Sequence, residues 1–383
     1  MTDPSAEPAA GRARLVAFHL PQFHPIPEND AWWGPGFTEW TNVTRARPLF
    51  RGHYQPHLPA DLGFYDLRLP ETRAAQAALA RAYGLEAFCY YHYWFDGRRL
   101  LERPVNDILA SGEPDFPFCL CWANEAWSRR WLGDARDVIM PQAYSAEDDL
   151  AHIRWLARAF ADARYLRVNG RPLFLVYRPT DLPEPQRTTE RWRAECLRLG
   201  LPEPLLAACD AHCLGWDGRT LGFDLTLAFN PQLATLPGYD LDGPRRSKLR
   251  RNLKLGVFDP SLRVYEYAAA QRAMLSRQAP YPHIPSVMVG WDNTPRRGRE
   301  AVIVINSDPA VFERTLRTVI EGVQGQPPAE RLVFVNAWNE WAEGNHLEPD
   351  LKFGLQFLEA MQRANQPPRA AGLLTAGGER AGP

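Results

Sequence analysis

The sequence predicts an α/β fold, a single (β/α)8 TIM barrel with a long insertion between its sixth and seventh strands. Two observations lead there. Short apolar runs alternate with longer segments of helical period, the pattern of repeated strand–helix units around a parallel sheet, and eight such runs occur along the 383 residues. Segments mixing aromatic with acidic, amide or basic side chains also begin where the apolar runs end. In a barrel those ends share one rim, where this fold builds its active sites. A doubly wound sheet would alternate strands and helices too, but no run here leads into a glycine-rich phosphate loop.

The first run, Arg14–Leu20, follows a segment 1–13 expected to be flexible. It opens into HLPQFHPIPENDAWWGPGFTEW and offers His19, Gln22 and His24 as sugar contacts, against the plainer reading of histidines satisfied by their neighbours. After a helix Glu71–Tyr83, the second run Ala87–Tyr91 continues into YHYWFDGR and offers Tyr91, His92 and Trp94; the competing reading is an inward core cluster. The third, Phe118–Trp122, ends in WANEAWSRRW, with Asn124, Glu125 and Trp127 as binding candidates and Trp131 as a further stacking ring. A helix Ala146–Phe160 leads to the fourth run, Leu173–Tyr177, whose last residue Tyr177 is a rim candidate. Beyond a helix Glu190–Leu199 come Leu205–Ala208 and Leu225–Ala228, separated by too few residues for a full crossover helix.

Residues 231–285 are the expected insertion. They hold the basic run RRSKLRR, Arg245–Arg251, read as a solvated helix face or as a seat for a lipid-linked pyrophosphate or anionic polysaccharide. They also hold Asp240-Leu241-Asp242, a DxD pattern judged accidental because no nucleotide-binding strand precedes it. The seventh run, Ser286–Val289, leads into GWDNTPRR, where Trp291 and Asp292 are candidates and Asp292-Asn293 can equally cap a turn. After a helix Pro309–Val323, the eighth run Leu332–Val335 opens into NAWNEWAEGNHLEPD; a helix Phe353–Ala364 closes the barrel unit 14–366. The Gly-, Ala- and Pro-rich residues 367–383 are expected to be disordered.

Rings, amides and carboxylates on one rim suit a carbohydrate. Sugar C–H faces pack on aromatic rings, their hydroxyls need convergent donors and acceptors, and glycosidic bonds are worked by paired carboxyl groups. Glu340 and Glu343 supply the pair, with Asn339 and Trp341 beside them as contacts. If this stretch turns helically, positions i and i+3 share a side, their Cβ atoms about 5–6 Å apart. Two like charges so close raise one pKa and keep a proton available. The alternative is an ordinary acidic first turn of a helix. His346 and Glu348 follow as supports or turn residues.

The segment WNEWAEGNHLEP resembles the signature of glycoside hydrolase family 99-like domains, specifically the WbsX type found in bacterial surface-polysaccharide gene clusters. The resemblance runs through AFHLPQFHPIPENDAWWGPGFTEWTNV, HYQPHLPADLGFYDLRLPE, FCYYHYWFDGRRLLERP, FPFCLCWANEAWSRRW and GWDNTPRR, covering roughly 14–365. It implies a (β/α)8 barrel. It also implies that Glu340 acts on the sugar's 2-hydroxyl and Glu343 is acid/base for the glycosidic oxygen, a retaining route through a 1,2-anhydro sugar suited to α-manno or α-rhamno configurations. The WbsX branch is labelled a glycosyltransferase by context, so hydrolysis, transglycosylation in polysaccharide assembly and glycosyl transfer share this site as alternatives. A rival assignment within the class makes Glu125 the acid/base and Glu340 a nucleophile. A non-catalytic carbohydrate-binding protein is the competing class.

Composition narrows the partners. With 44 basic against 45 acidic residues, the chain lacks the cationic excess of a nucleic-acid binder. No apolar run reaches the roughly 18 residues of a membrane span, and no basic start precedes an apolar core. The expectation is a cytoplasmic protein with an oligo- or polysaccharide substrate, free or lipid-linked, and peripheral membrane contact left open. Its cysteines sit mostly in apolar runs as buried thiols, and neither cofactor nor metal is expected.

Overall fold

The apolar runs become strands because their side chains are buried on both faces, as a parallel sheet wrapped by helices requires. The computed structural model describes residues 11–128, 138–211, 215–239, 245–277 and 279–367. Its barrel strands are Arg14–His19 (β1), Ala87–Phe95 (β2), Phe118–Trp122 (β3), Arg171–Val176 (β4), Leu205–Cys209 (β5), Leu225–Leu227 (β6), His283–Ile284 with Ser286–Met288 (β7) and Leu332–Asn336 (β8). Neighbours pair in parallel from β1 through to β6. Pro285 splits β7, whose first half pairs with β6 and whose second half pairs with β8. Since β8 also pairs with β1, the sheet closes. These are the eight expected runs. The second extends to Phe95 because Arg98–Leu100 folds back antiparallel upon it.

The helices are Pro27–Trp33 (α1), Glu39–Arg45 (α2), Pro70–Ala82 (α3), Arg103–Ser111 (α4), Ala146–Phe160 (α5), Pro185–Arg198 (α6), Arg245–Lys254 (α7), Tyr267–Leu275 (α8), Thr294–Arg297 (α9), Pro309–Gly322 (α10) and Gln356–Ala364 (α11). Helix α5 shows the local logic. The Ser145 hydroxyl accepts the Asp148 N–H at 3.0 Å, three acidic residues fill the first turn, and Ile153, Leu156 and Phe160 form the buried stripe. Between β5 and β6 the described residues hold a 3-10 turn, Gly218–Leu221, and no α-helix. It runs against the sheet so closely that a Cβ on Gly218 would stand 2.9 Å from the Ala208 Cβ.

The 231–285 stretch builds structure of its own. Arg263–Glu266 pairs in parallel with Val302–Ile305, which lies in the β7–β8 connection. Val257, Leu262, Val264, Ala301 and Ile303 form a small core there. The basic run lies on α7, anchored by buried Asn252, whose amide donates to the carbonyls of Asp259 and Leu262. Ala13, expected within the flexible segment, is buried and exchanges hydrogen bonds with the Asn365 side chain. Residues 1–10 and 368–383, Trp131, and Asp240 to Asp242 lie outside the described residues.

Candidate active site

The site grows from the end of β8. Beyond Asn336 the Trp338 N–H donates to the Phe18 carbonyl at 2.8 Å. The Asn339 side chain accepts the Leu20 N–H at 2.7 Å and donates to the Leu20 carbonyl at 3.0 Å. Asn339–Glu340 then pairs antiparallel with Asn345–His346, and a 3-10 turn, Trp341–Glu343, joins them. The expected helical turn is therefore the tight end of a hairpin, closed by Gly344 at φ 58°, a conformation glycine adopts without strain. Its i, i+3 relation survives, and Glu340 and Glu343 face a common partner.

That partner is Arg296, on α9. Its Nη2 lies 3.0 Å from Glu340 and its Nη1 2.6 Å from Glu343. The same guanidinium meets Glu39 of α2 at 3.1 Å. Three carboxylates converge on one cation. Burial, the largest influence, pushes Glu340 up to about 8 despite the opposing Arg296 charge, and the charges of Glu343 and Glu39 add to it. Burial also raises Glu343 against the pull of Arg296. The two carboxyls titrate as a unit and hold a proton near neutral pH. Arg296 stays charged, since the three carboxylates outweigh its burial. The Glu343 side chain keeps 20 % of its surface exposed, so the cluster reaches solvent.

Helix α9 is fixed by the residue that sequence reasoning offered as a hydroxyl binder. Buried Asp292 accepts hydrogen bonds from His53 at 2.6 Å, Gln55 at 2.8 Å and the Thr294 N–H at 2.9 Å. Those donors overcome burial and hold its carboxyl below the usual range. Its own N–H donates to the Glu343 carbonyl at 2.6 Å. Asp292 is thus a bracket beneath the turn, and the turn-capping reading is the one its contacts fit. Gly290 stands beside it because a Cβ there would meet the Gly344 carbonyl oxygen at 2.5 Å.

Strand alternation sorts the aromatic candidates. Tyr91 stacks on Phe18 inside the barrel and meets Tyr177 edge-on at 6.3 Å. Burial first, then the charge of Glu340, raises the hydroxyl pKa of both Tyr91 and Tyr93. Burial and the charges of Glu125 and Glu343 do the same for Tyr177. Trp127 packs edge-on against Tyr93 at 5.1 Å. Glu125 is half-exposed and bound to Arg178 at 2.9 Å. Tyr91, Tyr93, Tyr177 and Glu125 therefore lie around the carboxylate cluster, with Trp127 against Tyr93.

The remaining candidates lie elsewhere. His92 and Trp94 point to the opposite face of β2, where His92 stacks on Trp155 and Trp94 donates to Asp148 at 2.9 Å. His19 is buried beside Gln76 of α3, and burial lowers its pKa to about 3. His24 contacts the Pro21 carbonyl. The Gln22 carbonyl accepts the Glu39 N–H, so it seats α2. Asn124 joins the strand ends, exchanging hydrogen bonds with the Arg178 backbone at 2.7 and 2.8 Å. Trp291 packs into the small cluster of Met288, Val302 and Val304. Trp341 is buried flat on His346 and donates to Glu348 at 2.6 Å. Glu348 also accepts from Tyr65 and Gln76, a support under the turn.

Sequence reasoning missed Glu39, Tyr93 and Arg296. The period of two from Tyr91 would have found Tyr93. Glu39 and Arg296 stood in segments already singled out, GFTEW and TPRR, but isolated charges in connecting segments carry no periodic signal. A cavity of about 340 Å³ opens at the other end of the barrel, among the first residues of β4 to β8. Its Arg171 is already paired with Asp224 at 2.8 Å, and it holds none of these groups. One further set of metal-type donors among the described residues is His57, His346 and Asp350.

Comparison with known proteins adds the following. The family described as Glycosyltransferase WbsX matches residues 15–361. Two curated relatives, each named uncharacterized protein WxcX, come from Xanthomonas campestris pv. campestris. The strain B100 protein is 48% identical over 365 residues, 94% of this chain and 50% of its own length. The other, from strain ATCC 33913, is 48% identical over 357 residues, 92% of this chain and 49% of its own. This chain thus spans about half the length of those relatives. Among solved structures, the GH99 endo-alpha-mannosidase from Bacteroides thetaiotaomicron aligns with TM-score 0.53 and 13% identity over 92% of this chain and 96% of its own. A protein titled glycoside hydrolase-like aligns at 0.54 and 12% over 96% and 98%. At such identities the shared property is the barrel.

Proposed function

The chain belongs to the WbsX glycosyltransferase family, and from that premise we propose that it breaks or remakes glycosidic bonds of a bacterial cell-surface polysaccharide. The observation that carries the reading is Glu340 and Glu343 held by one guanidinium, with Tyr91, Tyr93 and Tyr177 around them. The substrate is an α-manno- or α-rhamno-configured glycan, free or lipid-linked.

In the proposed retaining route Glu340 takes the proton of the sugar's 2-hydroxyl while that oxygen displaces the leaving group at the anomeric carbon. Glu343 gives its proton to the departing oxygen. An acceptor hydroxyl then attacks the anomeric carbon and breaks its bond to O2, Glu343 removing the acceptor's proton while Glu340 returns its own to O2. Burial favours the proton on Glu340, raised to about 8, whereas this route needs Glu340 ionised. A bound 2-hydroxyl donating to Glu340 favours its charged form. The proton then belongs to the pair rather than to either carboxyl, and the route places it on Glu343. Arg296 and the turn hold both oxygens in place, so catalysis draws on orientation as well as proton transfer.

Transfer to a sugar acceptor is the second reading, favoured by the family's description as a glycosyltransferase. Among the described residues no helix is long and apolar enough to cross a membrane. A reducing, cytoplasmic location is part of the proposal, supported by the five cysteines among the described residues, all buried free thiols. Incubation with a panel of α-manno and α-rhamno oligosaccharides, followed by mass analysis, tests the reading. Shortened chains indicate hydrolysis and lengthened chains transfer; binding with unaltered chains across the panel contradicts both.

A further inference from the structure

His57, His346 and Asp350 bring their ligand atoms within 4.8 Å of one another. His57 lies on the connection after α2, and the other two follow the turn that carries Glu343. The His57 ring touches that turn, since a Cβ on Gly344 would lie 3.3 Å from its Cε1. We propose that these three residues form a binding site for a divalent transition metal, Zn2+ by the chemistry of its donors, which pins the segment around His57 onto the turn.

The orientation of each donor supports this. His346 Nδ1 lies 2.9 Å from the Glu348 carbonyl oxygen. A carbonyl can only accept, so Nδ1 carries the hydrogen and Nε2 presents its lone pair. The ring is held flat on Trp341 at 3.8 Å. Asp350 is fixed through one oxygen by the Tyr54 hydroxyl at 3.0 Å, and through the other by the Phe353 N–H at 2.6 Å and the Lys352 N–H at 3.0 Å. Hydrogen bonds of this kind, from the far ring nitrogen and onto the carboxylate, are what orients metal ligands. His57 is only half-buried, which leaves an entry path.

Two imidazoles and one carboxylate suit Zn2+, with a fourth position left to water; Ca2+ and Mg2+ prefer all-oxygen sets. The competing account is a plain hydrogen bond, since His57 Nδ1 lies 2.9 Å from His346 Nε2. Metal entry replaces that contact. The His57 proton leaves Nδ1 to solvent and another is taken up on Nε2, so both rings stay neutral. Lys352, whose ammonium sits 4.6 Å from the centre of the Tyr54 ring, places a positive charge nearby that weakens the site without occupying it.

The test is a titration of the full chain after chelator treatment, with Zn2+ by calorimetry and Co2+ by visible absorption. We expect one equivalent of each ion, a four-coordinate Co2+ spectrum, and affinity reduced by about tenfold or more in His57→Gln and Asp350→Asn. Circular dichroism establishes that each variant is folded. A wild-type chain that takes up no stoichiometric ion at micromolar Zn2+ overturns the proposal. So do folded variants that bind as the wild type does, since the ion then sits elsewhere. The readout is metal uptake, so it fails or holds independently of the glycosidic reading.

Discussion

At the scale of single residues, the site is governed by how burial and one arginine divide the charge of three carboxylates. Glu340 has an ordinary pKa of 4.5 in the unfolded chain and about 8 in the folded one. Between those values the native state binds more protons, so stability falls as pH rises through that window, by up to about 1.4 kcal/mol per pH unit for one group. Glu348, raised to about 7 chiefly by burial, adds a second contribution of the same sign. Below pH 4.5 neither contribution opposes folding. Urea unfolding of the wild type and Glu340→Gln at pH 5 and pH 8 checks this: the variant should lose less stability across that interval. Equal losses would mean that Glu340 is not raised. Such a group cannot be recognised from its place in WNEWAEG alone, because the shift comes first from burial in the folded barrel, with Arg296 opposing it and Glu343 and Glu39 adding to it.

At the scale of elements, the hairpin after β8 depends on close approach to the end of β7. Gly290 leaves room for the Gly344 carbonyl where a Cβ would be 2.5 Å away. Gly290→Ala should therefore displace the turn, costing about 1–3 kcal/mol and lowering kcat more than sugar binding. Asn339→Ala should cost a similar ~1–3 kcal/mol, because it leaves the buried Leu20 N–H and carbonyl without their partners. Thermal melts of both variants, with sugar affinity measured beside them, check these expectations. The β8 strand was legible from its apolar run. The hairpin was not, because two-residue strands and a 3-10 turn have no period long enough to read, and the sequence suggested a helical turn instead. Alternation explains the divided outcome on β2: Tyr91 faces the interior, while His92 and Trp94 face α5.

At the scale of the whole molecule, eight apolar runs were enough to read the barrel, since each buries both faces and shows a strong signal. The surroundings of the site were harder, because they are assembled by tertiary contacts. The insertion looked like a detour between strands six and seven, yet its strand Arg263–Glu266 completes a small sheet with Val302–Ile305, next to the helix that bears Arg296. The account therefore predicts that Ile303→Ala, which hollows the core beneath that sheet, costs about 2–5 kcal/mol and reduces turnover through α9. Chemical denaturation with parallel rate measurements would show it; a stability loss with unchanged turnover would detach the insertion from the site. The central claim, that Glu340 and Glu343 act as a chemical pair, is tested most directly by comparing wild type with Glu343→Gln on the oligosaccharide that the panel identifies, measuring rate and affinity together. The account predicts a rate lower by about 10²–10⁴ with affinity nearly unchanged, whereas equal rates in the two proteins would contradict it.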